Sequence, residues 1–455
     1  MTIAPLSTLH ARPQLQYQQR WMKPGLQRQK YLRQLAYLYI ALLVLEGALR
    51  KWLLPSLAGP LLLVRDPIAL AIIYLSWRQG LWRSQRWLVL WVWLAVLMLI
   101  TGLLALFSQS DQPLTILVYG LRTSLLHLPL VLLFPRILNQ ADLVRIARTM
   151  VLIALPIALL MVWQYNSSAD AWVNRTTIQG GSLLTAVQGK VRPPGPFSFI
   201  SGAAEYFALL NAFLLAGFVQ RNLASWLLGL GLAATLIAAG VSGSRLLIAY
   251  VQIVWLLGFV AILVLRPGSI NFRTLITISF AILIAIVVIV VNPYRNTVEQ
   301  GQETTQLRID QARGTDGGVV RRSGTLFQIP AVVWDRTPLF GYGLGMGTNF
   351  AATTMGGSPG FLLIENEWPR LIQESGALTG SLFILFRVGL CLHVGRLALL
   401  RLRRGDVLSI ALFAASFHLL LIGPITRPTT LGFAVVGMGL SLAAGRPCDS
   451  ARATS

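Results

Sequence analysis

The chain has 455 residues, of which 55% are hydrophobic and only 12% charged. A soluble domain carries about twice that share of charge, so the composition excludes an ordinary water-soluble protein. The formal net charge of +22 would suit nucleic acid, but the bases are spread through short gaps between apolar runs. A nucleic-acid binder gathers them on one exposed face, so no nucleic-acid partner is expected.

Residues 1–34 form a basic segment with Arg12, Arg20, Lys23, Arg28, Lys30 and Arg33 and no acid. About twelve apolar runs follow, near 35–54, 57–76, 87–107, 113–135, 147–165, 199–219, 224–241, 245–265, 274–292, 371–395, 407–425 and 429–445. Each is long enough to cross a hydrocarbon core of about 30 Å as a helix, and lipid offers no partner to an open strand edge. The expected fold class is all-α, a polytopic integral membrane protein with about 12 transmembrane helices. The first run carries Glu46 and lacks a small-residue cleavage site, so it reads as a retained span rather than a signal peptide. Cys391 and Cys448 are not placed for a disulfide or a metal site.

Arg sits in every second gap: Arg78, Arg83 and Arg86; Arg136, Arg145 and Arg148; Arg221; Arg266 and Arg273; Arg396, Arg401, Arg403 and Arg404; then Arg446 and Arg452 in the tail. The other gaps are poor in base; 108–112 reads SQSDQ. The positive-inside rule then puts both termini in the cytoplasm. The chain divides into the basic segment 1–34, spans 35–292 with an outer loop at 166–198, a large extracytoplasmic loop at 293–370, spans 371–445 and a cytoplasmic tail at 446–455. A loop of that length on one face of a bundle is more often functional than decorative. Its segment 323–335, with Leu326, Ile329, Val332, Val333 and Trp334, reads as a short interfacial helix.

Charges inside spans are costly and face a protein interior or polar cavity. Glu46 and Arg50 are four apart and share a helix face; they form either a structural pair or a functional one, with Arg50 and Lys51 snorkelling at the boundary. Arg65-Asp66-Pro67 lies mid-span, where the proline should break or kink the helix and the charges read as a neutralised pair. Arg122 and His127, five apart, should not share a face closely, and His127 reads as a packed interior histidine. In VSGSRLLIAY, Ser242, Gly243 and Ser244 can offer hydroxyls and backbone N–H groups to an anion, and the Arg245 guanidinium suits phosphate oxygens. Arg192, Arg322 and Arg427 are further outer-face bases, a pattern suited to an anionic headgroup at the membrane surface.

Four pieces in order resemble the O-antigen ligase and polymerase superfamily, bacterial membrane glycosyltransferases that use undecaprenyl-diphosphate-linked glycan. They are RPPGPFSF at 192–199, SGSR at 242–245, PLFGYGLGMG at 338–347 and ENEWPRLIQESGALTG at 365–380. The resemblance covers most of residues 190–380. It implies an inner-membrane enzyme of cell-surface polysaccharide synthesis with its active face outside. The donor would be an undecaprenyl-diphosphate-linked glycan and the acceptor a glycan or lipid. Membrane lipids and a chain-length regulator would be its other partners. It implies that Arg192, Arg245 and Arg322 hold the diphosphate and that Glu365 or Glu367 takes the acceptor proton. Ser242, Ser244, Asn366, Arg370, Glu46, Arg50, Arg65, Asp66 and Arg122 would be supporting residues. No cofactor and no metal is expected. The family's ligases carry a His near the end of the large loop, whereas His10, His127, His393 and His418 all lie elsewhere here. Glu365 stands where that His or an Asp would be. The rival reading is a transporter or exporter of a small solute or polysaccharide precursor, with Glu46, Arg65, Asp66 and Arg122 as substrate or proton sites. A third is a catalytically silent relative acting in envelope assembly.

Overall fold

Among the described residues, seven helices are long and apolar enough to cross a membrane: Gln29–Leu53, Pro60–Arg78, Arg86–Ser108, Gln140–Asn166, Ile200–Gln220, Arg245–Leu265 and Ala377–Arg403. The structure is a computed structural model that describes residues 11–82, 85–108, 113–177, 191–265, 334, 337–355 and 366–445. No β-strand occurs among them. The pair Leu114–Leu126 and Leu130–Ile137 makes an eighth span if its 43° bend is counted as one crossing. Ser225–Val241, Val407–Ile422 and Pro428–Ala443 are shorter apolar helices. The expected span 274–292 and most of the expected loop 293–370 lie outside the described residues.

We label the α-helices α1 (Ala11–Ala48), α2 (Asp66–Arg78), α3 (Arg86–Ser108), α4 (Leu114–Leu121), α5 (Leu130–Ile137), α6 (Gln140–Asn166), α7 (Ile200–Gln220), α8 (Ser225–Val241) and α9 (Arg245–Leu265). They continue with α10 (Asn349–Thr354), α11 (Glu367–Ser375), α12 (Ala377–Arg403), α13 (Val407–Ile422) and α14 (Pro428–Ala443). Helix α7 is the centre of the bundle: every residue from Gly202 to Phe218 is buried. Its sequence explains this: apart from Glu205 and Asn211 it is apolar on all sides, and Gly202, Ala203, Ala204, Ala208, Ala212 and Ala216 let neighbours approach closely. Helices α9, α13 and α14 pack around it. Helices α3 and α9 lie outside and expose Trp93, Phe107, Leu256 and Val264, the large apolar side chains that a lipid contact surface needs.

Local sequence sets the breaks. Helix α1 ends in a π-helical turn, Leu49–Leu53, ahead of Pro55. The second span is broken rather than kinked at Arg65-Asp66-Pro67. It begins with two 3₁₀ turns, Pro55–Leu57 and Pro60–Leu63, and α2 starts at Asp66 with Pro67 in its first turn, where a missing N–H costs nothing. A second π-turn, Arg122–Leu126, follows α4. The expected single span at 371–395 is two helices, divided at Gly376 with φ +86°. Helix α6 starts with a capping box in which the Asn139 and Asp142 side chains each accept from the other's backbone N–H.

Candidate functional site

One end of the bundle gathers the C-terminus of α1 and the starts of α2, α7, α9 and α14. Contacts at that end fix the arrangement. Lys51 Nζ donates to the carbonyls of Gly195 (2.6 Å) and Phe197 (2.8 Å). Arg65 Nη2 donates to Pro428 O at 2.7 Å. Gly47 of α1 lies against Pro196–Ser198, where a Cβ would meet Ser198 N at 2.8 Å.

The intramembrane charges pair differently from their sequence order. Arg65 does not pair with its neighbour Asp66; its Nε donates to Glu46 Oε2 at 2.9 Å. Glu46 also takes the expected partner, with Arg50 Nη1 at 3.5 Å from Oε1. Arg50 Nε donates to Ala58 O at 2.7 Å and Nη1 to Ser198 Oγ at 3.4 Å. Arg50 and Lys51 do not snorkel, because the π-turn rotates both inward and both are buried. Asp66 instead receives Arg122 Nε at Oδ2 and Nη2 at Oδ1, the latter at 3.0 Å. His127 Nε2 lies 3.1 Å from the same Oδ1, and Tyr39 OH lies 3.0 Å from His127 Nδ1. Arg122 and His127 therefore share a partner although they are five apart. The π-turn between them puts i and i+5 on one face.

A second network braces the region around α11. Glu367 Oε1 accepts from Arg370 Nη2 (2.9 Å) and Arg387 Nη1 (2.8 Å), and its Oε2 accepts from Arg370 Nε (3.2 Å). Arg370 also pairs with Glu374. Burial alone would lower the Arg370 pKa, but Glu367 and Glu374 outweigh it and raise it above the ordinary value. Glu374 in turn accepts from Gly347 N at 2.8 Å through Oε1. The glycine-rich segment 341–347 is thereby clamped, with Tyr342 N and Gly343 N donating to the carbonyls of Gln373 and Glu374. Glu367 is a fully engaged carboxylate in this arrangement. Asn366 is the N-cap residue of α11 and makes no side-chain capping bond. Glu365 and Arg322 lie outside the described residues.

The remaining candidates meet at the mouth of the α7–α9–α14 group. Residues 191–198, VRPPGPFS, form a buried strap of which only Arg192 is half-exposed. Gly195 anchors it: its N–H donates to Gln164 Oε1 at 2.8 Å, and its carbonyl accepts from Gln164 Nε2 at 3.2 Å. The α8–α9 turn is closed by Ser242, whose Oγ accepts from Ser244 N at 3.2 Å and donates to Ala239 O at 3.1 Å. Both serines are buried; Ser242 shapes the turn, and Arg245 is the group it presents. Arg192 lies within the field of Arg245: burial, and then the Arg245 charge, lower its pKa. Its buried Nε has no hydrogen-bond partner. Arg427, exposed at the N-cap of α14, lies within electrostatic reach of Tyr250 on α9, the helix that Arg245 opens.

Arg50, Arg65, Arg122, Arg370 and Arg387 each have a carboxylate partner. Arg192, Arg245 and Arg427 have no ion-pair partner among the described residues. Sequence reasoning missed what lies beneath them. Glu205 of α7 is buried, accepts from Thr430 Oγ1 at 2.6 Å through Oε1, and leaves Oε2 without a partner. Tyr250 and Arg427 lie within its electrostatic reach. An acid inside an otherwise apolar span was the available signal. No group of three or more His, Cys, Asp or Glu side chains converges on a metal position among the described residues.

No protein-family model matches the chain, and no curated protein is significantly similar to it.

Proposed function

We propose that the chain is an inner-membrane glycosyltransferase of the O-antigen polymerase/ligase type, using an undecaprenyl-diphosphate-linked glycan on the extracytoplasmic face. The observation that carries this reading is that Arg192 and Arg245 lie within each other's reach, with Arg427 close to Tyr250 of the same helix as Arg245, and that none of the three has an ion-pair partner among the described residues, while the neighbouring buried arginines are neutralised. Guanidinium groups held by a turn and a strap, with no ion-pair partner among the described residues, suit a phosphate-bearing ligand. Arg322 joins them on the resemblance alone.

In the reaction the acceptor hydroxyl oxygen attacks the anomeric carbon. The bond from that carbon to the diphosphate oxygen breaks, and its electron pair leaves with the diphosphate. Charge grows on the leaving group, so fixed arginines stabilise the transition state more than the ground state. The hydroxyl proton passes to a carboxylate. Glu365 and Glu367 hold that role by resemblance, but Glu367 would have to release Arg370 and Arg387 to accept it. Direct attack inverts the anomeric centre. The pairs that a transporter would use, Glu46 with Arg65 and Asp66 with Arg122, are internally neutralised.

The test is transfer by the purified full-length protein in lipid nanodiscs, using undecaprenyl-diphosphate-linked oligosaccharides and a panel of glycan acceptors. Glycan transfer with release of undecaprenyl diphosphate is expected. A protein that neither transfers glycan nor binds undecaprenyl diphosphate would refute the proposal.

A further inference from the structure

Below the arginine mouth lies a polar layer that the reading above leaves unassigned. Glu205 is the sixth residue of α7, immediately after the strap that carries Arg192. Tyr250 is the sixth residue of α9, which opens with Arg245. At a rise of about 1.5 Å per residue, both lie roughly 7.5 Å below the helix starts, and α7 packs along α9. Helix α14 brings Thr430 and Arg427 to the same level from its own start. Helix α13 brings His418, whose ring centroid is 4.1 Å from that of Tyr250.

The layer holds unpartnered polar atoms in a buried place. Glu205 Oε2, His418 Nδ1 and His418 Nε2 all lack hydrogen-bond partners among the described residues, with Glu205 2% and His418 8% exposed. Such groups are costly to leave unsatisfied. A hydroxyl-bearing ligand entering from the mouth would supply what they lack. Of the surrounding side chains, Arg427 is exposed and Tyr250 half-buried. Among the three buried carboxylates of α7 and α11 at this end, Glu367 and Glu374 are tied to arginines by short hydrogen bonds. Glu205 has one oxygen fixed by a hydroxyl and the other free.

We propose that Glu205 is the catalytic carboxylate that accepts the proton of the acceptor hydroxyl, in a sugar-binding layer formed with Tyr250, His418 and Thr430 beneath the arginines. This rests on the glycosyltransferase reading. The attacking oxygen forms its bond to the anomeric carbon, the diphosphate departs with the electron pair, and the proton moves to Glu205 Oε2 and then to solvent. Thr430 holds the other oxygen so that the free one faces the acceptor.

The test uses full-length protein in nanodiscs with two probes: undecaprenyl diphosphate for binding, and the undecaprenyl-diphosphate-linked oligosaccharide for transfer. Glu205→Gln should lower kcat about 10²–10⁴-fold while binding undecaprenyl diphosphate within about twofold of wild type. Its residual rate should lose the acid limb of the wild-type pH profile, which a purely structural role would not remove. Glu205→Asp, which keeps the charge but withdraws it, should lower kcat at least tenfold at unchanged donor KM. This variant also decides the matter if Glu205→Gln does not reach the membrane. Near-wild-type kcat in either variant would overturn the proposal. So would Glu205→Gln losing donor binding and thermal stability together, which marks a structural carboxylate. A wild-type protein that binds and transfers while Glu365→Gln alone is dead would also overturn it. Failure of the wild type to bind or transfer would instead remove the glycosyltransferase reading on which it stands.

Discussion

Glu367→Gln separates a reacting carboxylate from a structural one. Glu367 accepts three hydrogen bonds from the guanidinium groups of Arg370 and Arg387. The two arginines are 3% and 0% exposed. With Glu374 the cluster holds two cations and two anions; the amide leaves two cations against one anion. The amide oxygen can still accept from one arginine, so part of the interaction survives. Breaking a buried pair by removing one partner costs about 3–5 kcal/mol, because a charge remains uncompensated. That is a large fraction of a protein's stability. We expect Glu367→Gln to lower the thermal midpoint of purified protein in detergent, followed by tryptophan fluorescence, and to reduce its amount in the membrane. Transfer per folded molecule should fall far less. The double variant Glu367→Leu/Arg387→Met, which removes both partners, should lose less stability than the two singles added together. A Glu367→Gln protein with an unchanged midpoint and abolished transfer would refute this account and make Glu367 a reacting group.

Arg245→Lys keeps the charge but loses the two-pronged donor; transfer should fall about 10²–10³-fold at normal membrane levels. Near-normal rates in both Arg245→Lys and Arg245→Ala would reduce SGSR to a turn. Gly120→Ala would drive its Cβ into the backbone of Leu344 and Gly345, and should cost about 1–3 kcal/mol by overpacking, read as a lower thermal midpoint. A cysteine at Ser323, in a background without Cys391 and Cys448, should react with an impermeant thiol reagent in intact cells with a permeabilised outer membrane. Labelling only after lysis would reverse the proposed orientation.

The helices were legible because lipid imposes long apolar runs with few alternatives. The run expected at 245–265 coincides with α9, and that at 224–241 differs from α8 by one residue. The breaks were less legible. Pro67 reads as a mid-span kink only if the preceding PSLAGPLLLV is taken as α-helix; two prolines and a glycine turn it into 3₁₀ turns instead, and Pro67 becomes a first-turn residue. Pairing was the least legible feature. Arg65 has an acid beside it in sequence, yet side chains at adjacent helix positions point apart, and the helix crossing carries it to Glu46. Arg122 and His127 meet at Asp66 only because a π-turn, which no residue pattern announced, changes the register between them.

The site was legible where it broke a rule. Arg245 and Arg192 stood out as bases in gaps that the positive-inside pattern leaves poor in base. A second signal, charge inside an apolar run, drew in Arg50, Arg65 and Arg122, and the structure divides the set. Glu46 and Asp66 neutralise those three, as Glu367 and Glu374 neutralise Arg370 and Arg387. A buried guanidinium with a carboxylate is a brace; one without an ion-pair partner among the described residues gains from a bound anion. The Arg245 charge disfavours that of Arg192, and a bound diphosphate would relieve that repulsion. The same sorting singles out Glu205 among the acids. It went unnoticed in ISGAAEYFALLNAF because the run is otherwise ideal for a buried span. Its free oxygen distinguishes it from every carboxylate that the arginines hold.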